Sequence, residues 1–497
     1  MSAAELEIHA PSFQSIVLAT RGVVRRRPAS DPVRLSTDTR AALADACFVA
    51  LRGERFDGHG FVAEAAARGA ALAVVEQVPD EAVLAALPKG FGLLEVASTR
   101  AALGAIAHAW RTSLRRLRVA AVTGSAGKTT TRRLLEGALS AAGRTHASPK
   151  SFNNDVGVPL TLLSTPDDAA FLVAEIGMNH PGEILPLARL ADPEVAVITL
   201  AGRAHLEGLG SVEAVATEKA SILSAVAAHG AGVVNGDNPP LLAAVERLAA
   251  QGAAPARIVR FGGGSGCDYR LLERTRTADG QSFEFEVPVR IADREGGNRR
   301  HRLRIRMSGE HNARNALAAA AAALEMGIDL ETIARGIAEV DASDMRLERL
   351  GIGPWTVYND AYNANPDAMI AALGAFAELG QAAPARAAIL GEMRELGPDA
   401  RALHEEVGRA AAARLDRGDL LVAVGPHARA LCDAARGAGF EGAALAAETF
   451  DEAFADTVAA RLPAPAAVLL KGSRGARMER FLVPLERAAA AGGASGR

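Results

Sequence analysis

A glycine-rich turn between an apolar run and a helical stretch constrains the fold of this chain more than any other feature. Residues 119–122 are apolar, 124–127 contain two glycines, and 129–142 have the composition of a helix. Further apolar runs follow at 171–174, Val195–Ile198 and 232–234, with helical stretches between them. Strands that alternate with helices in this way indicate a parallel sheet covered by helices on both faces.

The length of 497 residues predicts more than one domain, because a single core rarely exceeds about 250–300 residues. The 55 basic and 58 acidic residues leave no basic surplus for nucleic acid. We see no secretory signal and no membrane-length apolar run, and the three distant cysteines fit neither a disulfide framework nor a zinc site. These features together predict a cytoplasmic α/β protein.

The regions on either side of the central stretch also read as α/β. A helix at 61–68 and a strand at 70–76 are expected near the N-terminus, and apolar strands recur at 387–390 and 467–470. Alternating residues around 283–307 predict a β-hairpin, and Asn365-Pro366 predicts a helix start. We therefore place domain limits at 1–112, 113–339 and 340–497.

The glycine-rich turn has the composition of a phosphate-binding loop. Glycines let backbone N–H groups face a phosphate, the helix N-terminus adds partial positive charge, and Lys128 and Thr129 are suited to phosphate and Mg²⁺. The strict pattern has a glycine where Val122 stands, so this is a shortened variant, and an ordinary strand-to-helix turn is the alternative. No lysine follows an asparagine as in the guanine-reading motif, which favours ATP. The predicted phosphate-loop residues are Gly124, Ser125, Ala126, Gly127, Lys128, Thr129 and Thr130.

Lysine is rare in this chain, and its positions are therefore informative. The sequence contains Lys89, Lys128, Lys150, Lys219 and Lys471, while every other basic residue except histidine is arginine. A lysine retained in such a chain favours sites that need a compact charge or a deprotonatable amine. For Lys219, the simpler alternative is a solvated ion pair with Glu218 or Glu213.

Glu175 and His205 are candidate metal ligands. Glu175 follows an apolar strand, and carboxyl ends of parallel strands face the ligand crevice. Mg²⁺ prefers such oxygen ligands. The alternative for Glu175 is a solvated or capping role, and a lone histidine such as His205 is more often structural.

Several linked motifs resemble the Mur ligases, a family of ATP-dependent amide ligases that is related to the folylpolyglutamate synthases. The similarity lies in the phosphate loop, Glu175, the segment 204–207, Lys219 and the segment 309–315. In the last third, the segments 360–366, 390–397 and 471–474 resemble the family member that adds D-alanyl-D-alanine. The N-terminal segments 36–40 and 57–59 are similar to its uridine-diphosphate domain, so the resemblance spans nearly the whole chain.

The resemblance implies a fold, a reaction and a set of roles. The fold is a small N-terminal UDP-binding α/β domain, a central parallel-sheet ATPase domain and a C-terminal Rossmann-like α/β domain. The reaction joins UDP-N-acetylmuramoyl-tripeptide to D-alanyl-D-alanine with ATP and Mg²⁺, in a protein expected to be monomeric and independent of nucleic acid and membrane. The implied catalytic residues are Lys128, His205 and Lys219, the last as a carbamate. The implied metal ligands are Thr129, Glu175, His205 and Lys219. The implied ATP contacts outside the loop are Asn312, Asn315, Arg346 and Asp360, and the implied substrate contacts are Thr39, Arg40, Asn153 and Asn154.

Some positions depart from the family pattern, and other functions stay open. Leu200 stands where asparagine is frequent, Ala220-Ser221 replace Gly-Glu after Lys219, and Ala361 replaces a serine. The alternatives are a relative that adds another amino acid or glutamate, and a phosphate-loop NTPase that forms no amide bond. The segment 237–240 is expected to be a turn only.

Overall fold

The computed structural model describes residues 7–53, 56–149, 151–342 and 345–494. Within these ranges the chain forms three sheets of five, nine and six strands, which follow one another along the sequence. We call them the N-terminal, central and C-terminal sheets. The predicted α/β class is confirmed, while Lys150 lies outside the described residues.

The N-terminal sheet is mostly parallel. Its strands are β1 Val23–Arg26, β2 Arg34–Ser36, β3 Ala46–Val49, β4 Leu72–Val75 and β5 Gly92–Glu95. The associated helices are α1 Phe13–Thr20, α2 Val62–Ala67, α3 Glu81–Ala86 and α4 Thr99–Ser113. The strand order is β1-β5-β4-β3-β2, and only the β1–β5 pair is antiparallel among the described pairs. The helix and strand expected around 61–76 are confirmed as α2 and β4.

The central sheet carries the glycine-rich turn. Its strands are β6 Arg118–Thr123, β7 Thr145–Ala147, β8 Phe171–Glu175, β9 Val195–Ile198, β10 Ala231–Asn235, β11 Ile258–Gly262, β12 Tyr269–Thr277, β13 Gly280–Glu286 and β14 Arg300–Ile305. Its helices are α5 Lys128–Ser140, α6 Gly157–Leu163, α7 Ile184–Ala191, α8 Leu206–Leu209, α9 Val212–Ala220, α10 Pro239–Ala250, α11 Val289–Arg294, α12 Glu310–Glu325 and α13 Leu330–Ala338. The order is β14-β13-β12-β11-β10-β9-β6-β8-β7, which places β6 between β9 and β8.

The predicted hairpin forms the edge of the central sheet. Strands β13 and β14 pair antiparallel, with Phe283 opposite Leu303 and Phe285 opposite His301, and α11 lies between them in sequence. Phe283, Phe285 and Leu303 are buried because alternate residues of a strand point to the same face. The alanines of α12 are also buried, and their small side chains let this helix lie close to α5 and the sheet.

A shared hydrophobic core joins the N-terminal and central parts. Leu103 and Ile106 of α4 belong to the same buried cluster as Leu162 of α6 and Leu187 of α7. Burial of such side chains stabilises the contact by roughly 1.5–3 kcal/mol each relative to exposure. The two parts therefore pack as one body around α4.

The C-terminal sheet is again mostly parallel. Its strands are β15 Glu348–Ile352, β16 Trp355–Asp360, β17 Arg386–Gly391, β18 Leu420–Val424, β19 Ala443–Ala447 and β20 Ala466–Lys471. Its helices are α14 Pro366–Leu379, α15 Ala400–Ala412, α16 Ala428–Gly437, α17 Glu452–Arg461 and α18 Leu482–Ala494. The order is β15-β16-β20-β17-β18-β19, with only the β15–β16 pair antiparallel in the described chain. The expected start of α14 is confirmed, since Asn365 caps it by accepting the Ala368 N–H at 2.9 Å.

Among the residues that the structure describes, no helix has both the length and the apolar character needed to cross a bilayer.

Candidate active site

The glycine-rich turn connects the carboxyl end of β6 to the first turn of α5. Gly124 has φ +154°, and a Cβ at this position would lie 1.9 Å from Thr199 Oγ1. Gly127 has φ +82°, and a Cβ there would lie 2.4 Å from Asn315 Oδ1. Any side chain would therefore clash at both positions, and the backbone N–H groups at the start of α5 are left open to an anion.

Lys128 lies across this turn. Its Nζ donates to the Gly124 carbonyl at 2.7 Å. Burial lowers the pKa of Lys128, the nearby Glu175 carboxylate opposes that shift, and the Arg346 guanidinium adds to it. The ammonium thus lies among other charged groups and is well placed to compensate a polyphosphate.

Glu175 is the centre of a buried polar cluster at the end of β8. Its side chain is 1% exposed, and its two carboxylate oxygens accept from Thr129 Oγ1 at 2.8 Å and Asn153 Nδ2 at 2.9 Å. Arg132 Nε lies 3.9 Å from Glu175 Oε2, beyond hydrogen-bond distance. A buried carboxylate next to a hydroxyl, bonded mainly by neutral donors, is the kind of oxygen-rich environment that suits Mg²⁺. The residues present therefore fit the implied metal.

His205 lies in the loop before α8, at the junction with the C-terminal sheet. Its backbone is left-handed, with φ +58°. Its buried Nδ1 lies 2.6 Å from Oε2 of Glu395 without the alignment of a regular hydrogen bond, and this contact holds the pKa of Glu395 below its usual value. The Glu207 N–H also donates to the Glu395 carbonyl at 3.1 Å. Two contacts therefore join the start of α8 and the residue before it to the loop after β17.

Lys219 is buried in α9, with only 1% of its surface exposed. The alternative of a solvated ion pair with Glu218 or Glu213 is wrong, because Lys219 is buried and belongs to none of the described ion pairs; the Glu218 carboxylate accepts from the Gly182 and Ile184 N–H groups, each at 2.9 Å. Burial first, and the Lys128 charge second, lower the pKa of Lys219 well below its usual value, and the Glu218 charge opposes them. The amine is therefore biased toward its neutral, nucleophilic form.

The C-terminal sheet contributes its own charged groups where β16 and β20 end side by side. Asp360 and Lys471 are register partners, and Lys471 Nζ lies 2.6 Å from Asp360 Oδ2. Arg346 donates from Nη2 to Thr129 Oγ1 at 2.9 Å and stacks over the Tyr362 ring at 4.3 Å. Arg346, in the segment before β15, thus reaches the first turn of α5.

Asn312 and Asn315 lie on the first turns of α12, beside the phosphate loop. Asn312 Nδ2 donates to the Ser308 carbonyl at 2.8 Å, and Asn315 Nδ2 lies 3.4 Å from Asn312 Oδ1. His311, directly before Asn312, is half-buried, and desolvation lowers its pKa to about 4. These three side chains line the same cavity.

A cavity of about 850 Å³ lies between the central and C-terminal sheets, and most of the predicted site residues line it. The predicted residues that line it are Ser125, Ala126, Gly127, Lys128, Thr129, Thr130, Asn153, Asn154, Glu175, His205, Asn312, Asn315, Arg346 and Asp360. Gly124, Lys219, Thr39 and Arg40 are not among the described residues that line it. The volume falls in the range of small-molecule sites.

Thr39 and Arg40 lie apart, after β2 of the N-terminal sheet. Arg40 pairs with Asp38, its Nη2 lying 2.6 Å from Oδ2, and Arg68 donates to the Thr39 carbonyl. The Arg40 side chain is 86% exposed and accessible to a ligand from solvent.

Asn154 lines the cavity near the start of α6. Its Oδ1 accepts the Gly157 N–H at 2.8 Å and so helps to begin this helix.

Several cavity residues were given no role from the sequence. Glu395, His311 and Tyr362 all line the cavity, and Lys471 does so as the partner of Asp360. The segments that contain Glu395 and Lys471 carried part of the family resemblance, but spacing along the chain gives no sign of their partners. The segment 237–240, expected to be a turn only, also contains the start of α10 at Pro239. Its Asp237 carboxylate accepts the Gly263 and Gly264 N–H groups at 2.7 and 2.8 Å.

Comparison with family models covers each part of the chain. The model of the Mur ligase family catalytic domain matches residues 34–111, that of the Mur ligase middle domain matches 122–323, and that of the Mur ligase glutamate ligase domain matches 345–474.

Individual relatives give the same result. A protein of Escherichia coli (strain K12) named UDP-N-acetylmuramoyl-tripeptide--D-alanyl-D-alanine ligase is 34% identical over 91% of this chain and 93% of its own length. A protein of the same name from Bacillus subtilis (strain 168) is 34% identical over 75% of this chain and 76% of its own.

Solved structures confirm the architecture. MurF from Acinetobacter baumannii has a TM-score of 0.83 at 31% identity and covers 97% of this chain and 100% of its own. MurF ligase from Thermotoga maritima, solved with ADP, has a TM-score of 0.76 at 25% identity and covers 95% and 99%. With matching domain models from residue 34 to residue 474 and relatives along most of its length, the chain belongs to the Mur ligase family.

Proposed function

We propose that this chain is an ATP-dependent ligase that joins D-alanyl-D-alanine to UDP-N-acetylmuramoyl-tripeptide in peptidoglycan precursor synthesis. The observation that carries the proposal is the cavity between two sheets, where the phosphate loop and Glu175 face Arg346 and Asp360. Relatives with this printed activity match 91% and 75% of the chain, which supports the substrates.

The nucleotide site uses both sides of the cavity. The Ser125 N–H donates to the Leu200 carbonyl at 2.7 Å, so the other N–H groups of the phosphate loop, the N-terminus of α5 and Lys128 provide positive charge for the phosphates of ATP. Asn312 and Asn315 face the adenine end, and Arg346 and Asp360 contact ribose and phosphates from the C-terminal sheet. The ADP-bound relative from Thermotoga maritima supports ATP as the nucleotide.

Thr129, Glu175, His205 and a carbamate on Lys219 are the proposed ligands for Mg²⁺. When bound, the metal supplies positive charge to the transferring phosphoryl group. The carbamate forms when the neutral amine of Lys219 attacks carbon dioxide and releases a proton. Burial and the lowered pKa of Lys219 support this step, because only the neutral amine is nucleophilic.

The reaction moves groups between substrates, so no side chain has to act as nucleophile. The terminal carboxylate of the tripeptide attacks the γ-phosphorus, the bond to the β,γ-bridging oxygen breaks, and ADP leaves. The amine of D-alanyl-D-alanine then attacks the acyl carbon, loses a proton, and expels phosphate as the amide forms. The carboxylate and the triphosphate are both anionic, and Lys128 and Arg346 lower the cost of bringing them together.

The remaining predicted contacts are assigned to the muramyl substrate. Asn153 and Asn154 border the cavity next to Glu175, where the acceptor carboxylate has to reach the γ-phosphate. Thr39 and Arg40 are proposed to contact the uridine diphosphate on the N-terminal sheet. The three sheets support the proposed domain limits of 1–112, 113–339 and 340–497, and a nucleotide precursor as substrate supports a cytoplasmic location.

Product analysis tests the proposed function directly. Purified protein is given Mg²⁺, ATP, UDP-N-acetylmuramoyl-tripeptide and D-alanyl-D-alanine, and the products are read by mass spectrometry. We expect ADP, phosphate and the pentapeptide nucleotide in equal amounts, and far less of each in the same time with Lys128→Ala. Parallel reactions with glutamate or diaminopimelate address the alternative ligases, and phosphate release without any amide product would sink the proposal in favour of a simple NTPase.

A further inference from the structure

Glu395 meets His205 across the junction of the central and C-terminal sheets. The carboxylate Oε2 lies 2.6 Å from His205 Nδ1, and the Glu395 carbonyl accepts the Glu207 N–H at 3.1 Å. Glu395 is not among the site residues predicted from the sequence. Nδ1 is buried with this carboxylate as its neighbour, although the two atoms lack the alignment of a regular hydrogen bond, so Nε2 is the ring nitrogen left for another ligand.

Both residues of this contact have a left-handed backbone, φ +58° for His205 and +62° for Glu395. Residues with a Cβ rarely adopt this conformation unless surrounding contacts hold them there. On the Glu395 side, the Met393 N–H donates to His404 Nε2 and the Arg394 N–H donates to Ser473 Oγ, both at 3.0 Å. The loop after β17 is thus held from two directions with Glu395 aimed at His205.

We propose that Glu395 is a positioning residue that orients the His205 ring and holds the proton on Nδ1, so that Nε2 becomes a metal-binding nitrogen when the C-terminal sheet lies against the central one. The inference rests on the proposed function, in which His205 is a metal ligand. Metal-binding histidines commonly donate their second ring N–H to a carboxylate, and loss of that partner weakens binding. Here the carboxylate comes from a different sheet than the histidine, so metal binding and domain closure are linked.

Manganese binding to the full chain tests this inference without relying on catalysis. Mn²⁺ is titrated into protein saturated with a non-hydrolysable ATP analogue, and free Mn²⁺ is measured by electron paramagnetic resonance. We expect Glu395→Ala to weaken the protein-dependent Mn²⁺ affinity by about tenfold to a hundredfold. Glu395→Gln retains an acceptor for Nδ1–H but loses the charge, and it should fall between Glu395→Ala and the unchanged protein.

The matched control is Glu392→Gln, in the same loop. Glu392 pairs with Arg394, Oε2 to Nε at 3.0 Å, and does not line the cavity. We expect Mn²⁺ affinity to be unchanged in this variant. Nitrogen hyperfine coupling from imidazole to bound Mn²⁺ should be present in the unchanged protein and in Glu392→Gln, and reduced in Glu395→Ala.

Two results separate this inference from the proposed function. If Glu395→Gln, which preserves side-chain size, and Glu395→Ala both bind Mn²⁺ as tightly as the unchanged protein, with the same nitrogen coupling, the inference is wrong even for an active ligase. If the unchanged protein makes no pentapeptide nucleotide, the proposed function is wrong, while the Mn²⁺ titration still decides whether Glu395 orients His205. Circular dichroism of each variant verifies that the chain is folded.

Discussion

The cavity has one wall from the central sheet and one from the C-terminal sheet, and the two walls use different backbone geometry. On the central wall the positive φ angles of the phosphate loop fall on Gly124 and Gly127. On the C-terminal wall they fall on residues with side chains, Met345 and Leu347 at +54° and Glu395 at +62°. Glycine adopts such angles at little cost, whereas other residues require about 1–3 kcal/mol of supporting contacts. The phosphate loop of the central wall is therefore preformed, whereas the C-terminal wall, like His205 opposite it at φ +58°, depends on its contacts.

The largest effect is expected for Lys128→Ala, which removes charge from the preformed wall. Lys128 Nζ bonds the Gly124 carbonyl and lies where phosphate charge has to be compensated. We expect kcat to fall about 10²–10³-fold with little change in stability, as measured by phosphate release and thermal unfolding. A fall in unfolding temperature as large as that of a core variant would show that this wall is not preformed.

A large effect on stability is expected for Lys471→Met on the C-terminal wall. The Asp360 carboxylate, 15% exposed at its side chain, would lose the ammonium that now lies 2.6 Å away. We expect the free energy of unfolding, measured in urea, to drop by about 3 kcal/mol, because an unpaired buried charge is costly. The matched control is Lys471→Met with Asp360→Asn, which should recover most of the loss. A double variant no more stable than the single one would contradict the ion pair as the cause.

A moderate effect is expected for Arg346→Lys, which tests the reach between the walls. Lysine keeps the charge but loses the planar group that bonds Thr129 Oγ1 and stacks on Tyr362. We expect the KM for ATP to rise about tenfold with a smaller change in kcat, measured in steady-state assays. Arg349→Lys, on exposed β15 three positions later, is the control and should behave as the unchanged protein. Equal effects from both variants would argue against a specific contact.

The smallest effect is expected for the pH dependence of the free energy of unfolding, through His404, which accepts the Met393 N–H in the loop that carries Glu395. Burial lowers the pKa of His404 from its ordinary 6.5, His427 also lowers it, and Glu392 opposes them. The unfolded chain therefore binds this proton more readily, and His404 should make the free energy of unfolding fall as pH drops below 6.5, until the lowered folded pKa is passed. Urea unfolding at about pH 7 and about pH 5 should show less pH dependence in His404→Gln than in the unchanged protein. A variant with the same or greater pH dependence would contradict this.

The preformed wall could be predicted from the sequence because its signals are local. A strand, two glycines and a helix start lie within a few residues of one another, and Glu175 directly follows its own apolar run. The predicted loop, Glu175, Asn312 and Arg346 do border one cavity, although the roles given to them stay predictions. Adjacent residues do not face each other on a helix, which explains why Glu218 turns away from Lys219.

The contacts between the walls could not be predicted in the same way. Arg346 and Thr129 are 217 residues apart, and the pairing of His205 with Glu395 depends on how two sheets meet. Neither pair leaves a periodic or compositional signal. Their identification requires the positions of the segment before β15 and of the loop after β17 relative to α5 and α8, which only tertiary packing defines.

The close approach of Gly127 to Asn315 has a consequence for product release. A side chain at residue 127 would press on the Asn315 amide, so the glycine sets how near the phosphate loop lies to the first turns of α12. Both elements belong to the central sheet, and the spacing between the phosphate end and the adenine end of a bound nucleotide should stay constant while the C-terminal sheet moves. ADP should accordingly bind in the same position as ATP, and its release should require Arg346 to separate from Thr129 rather than the central residues to rearrange.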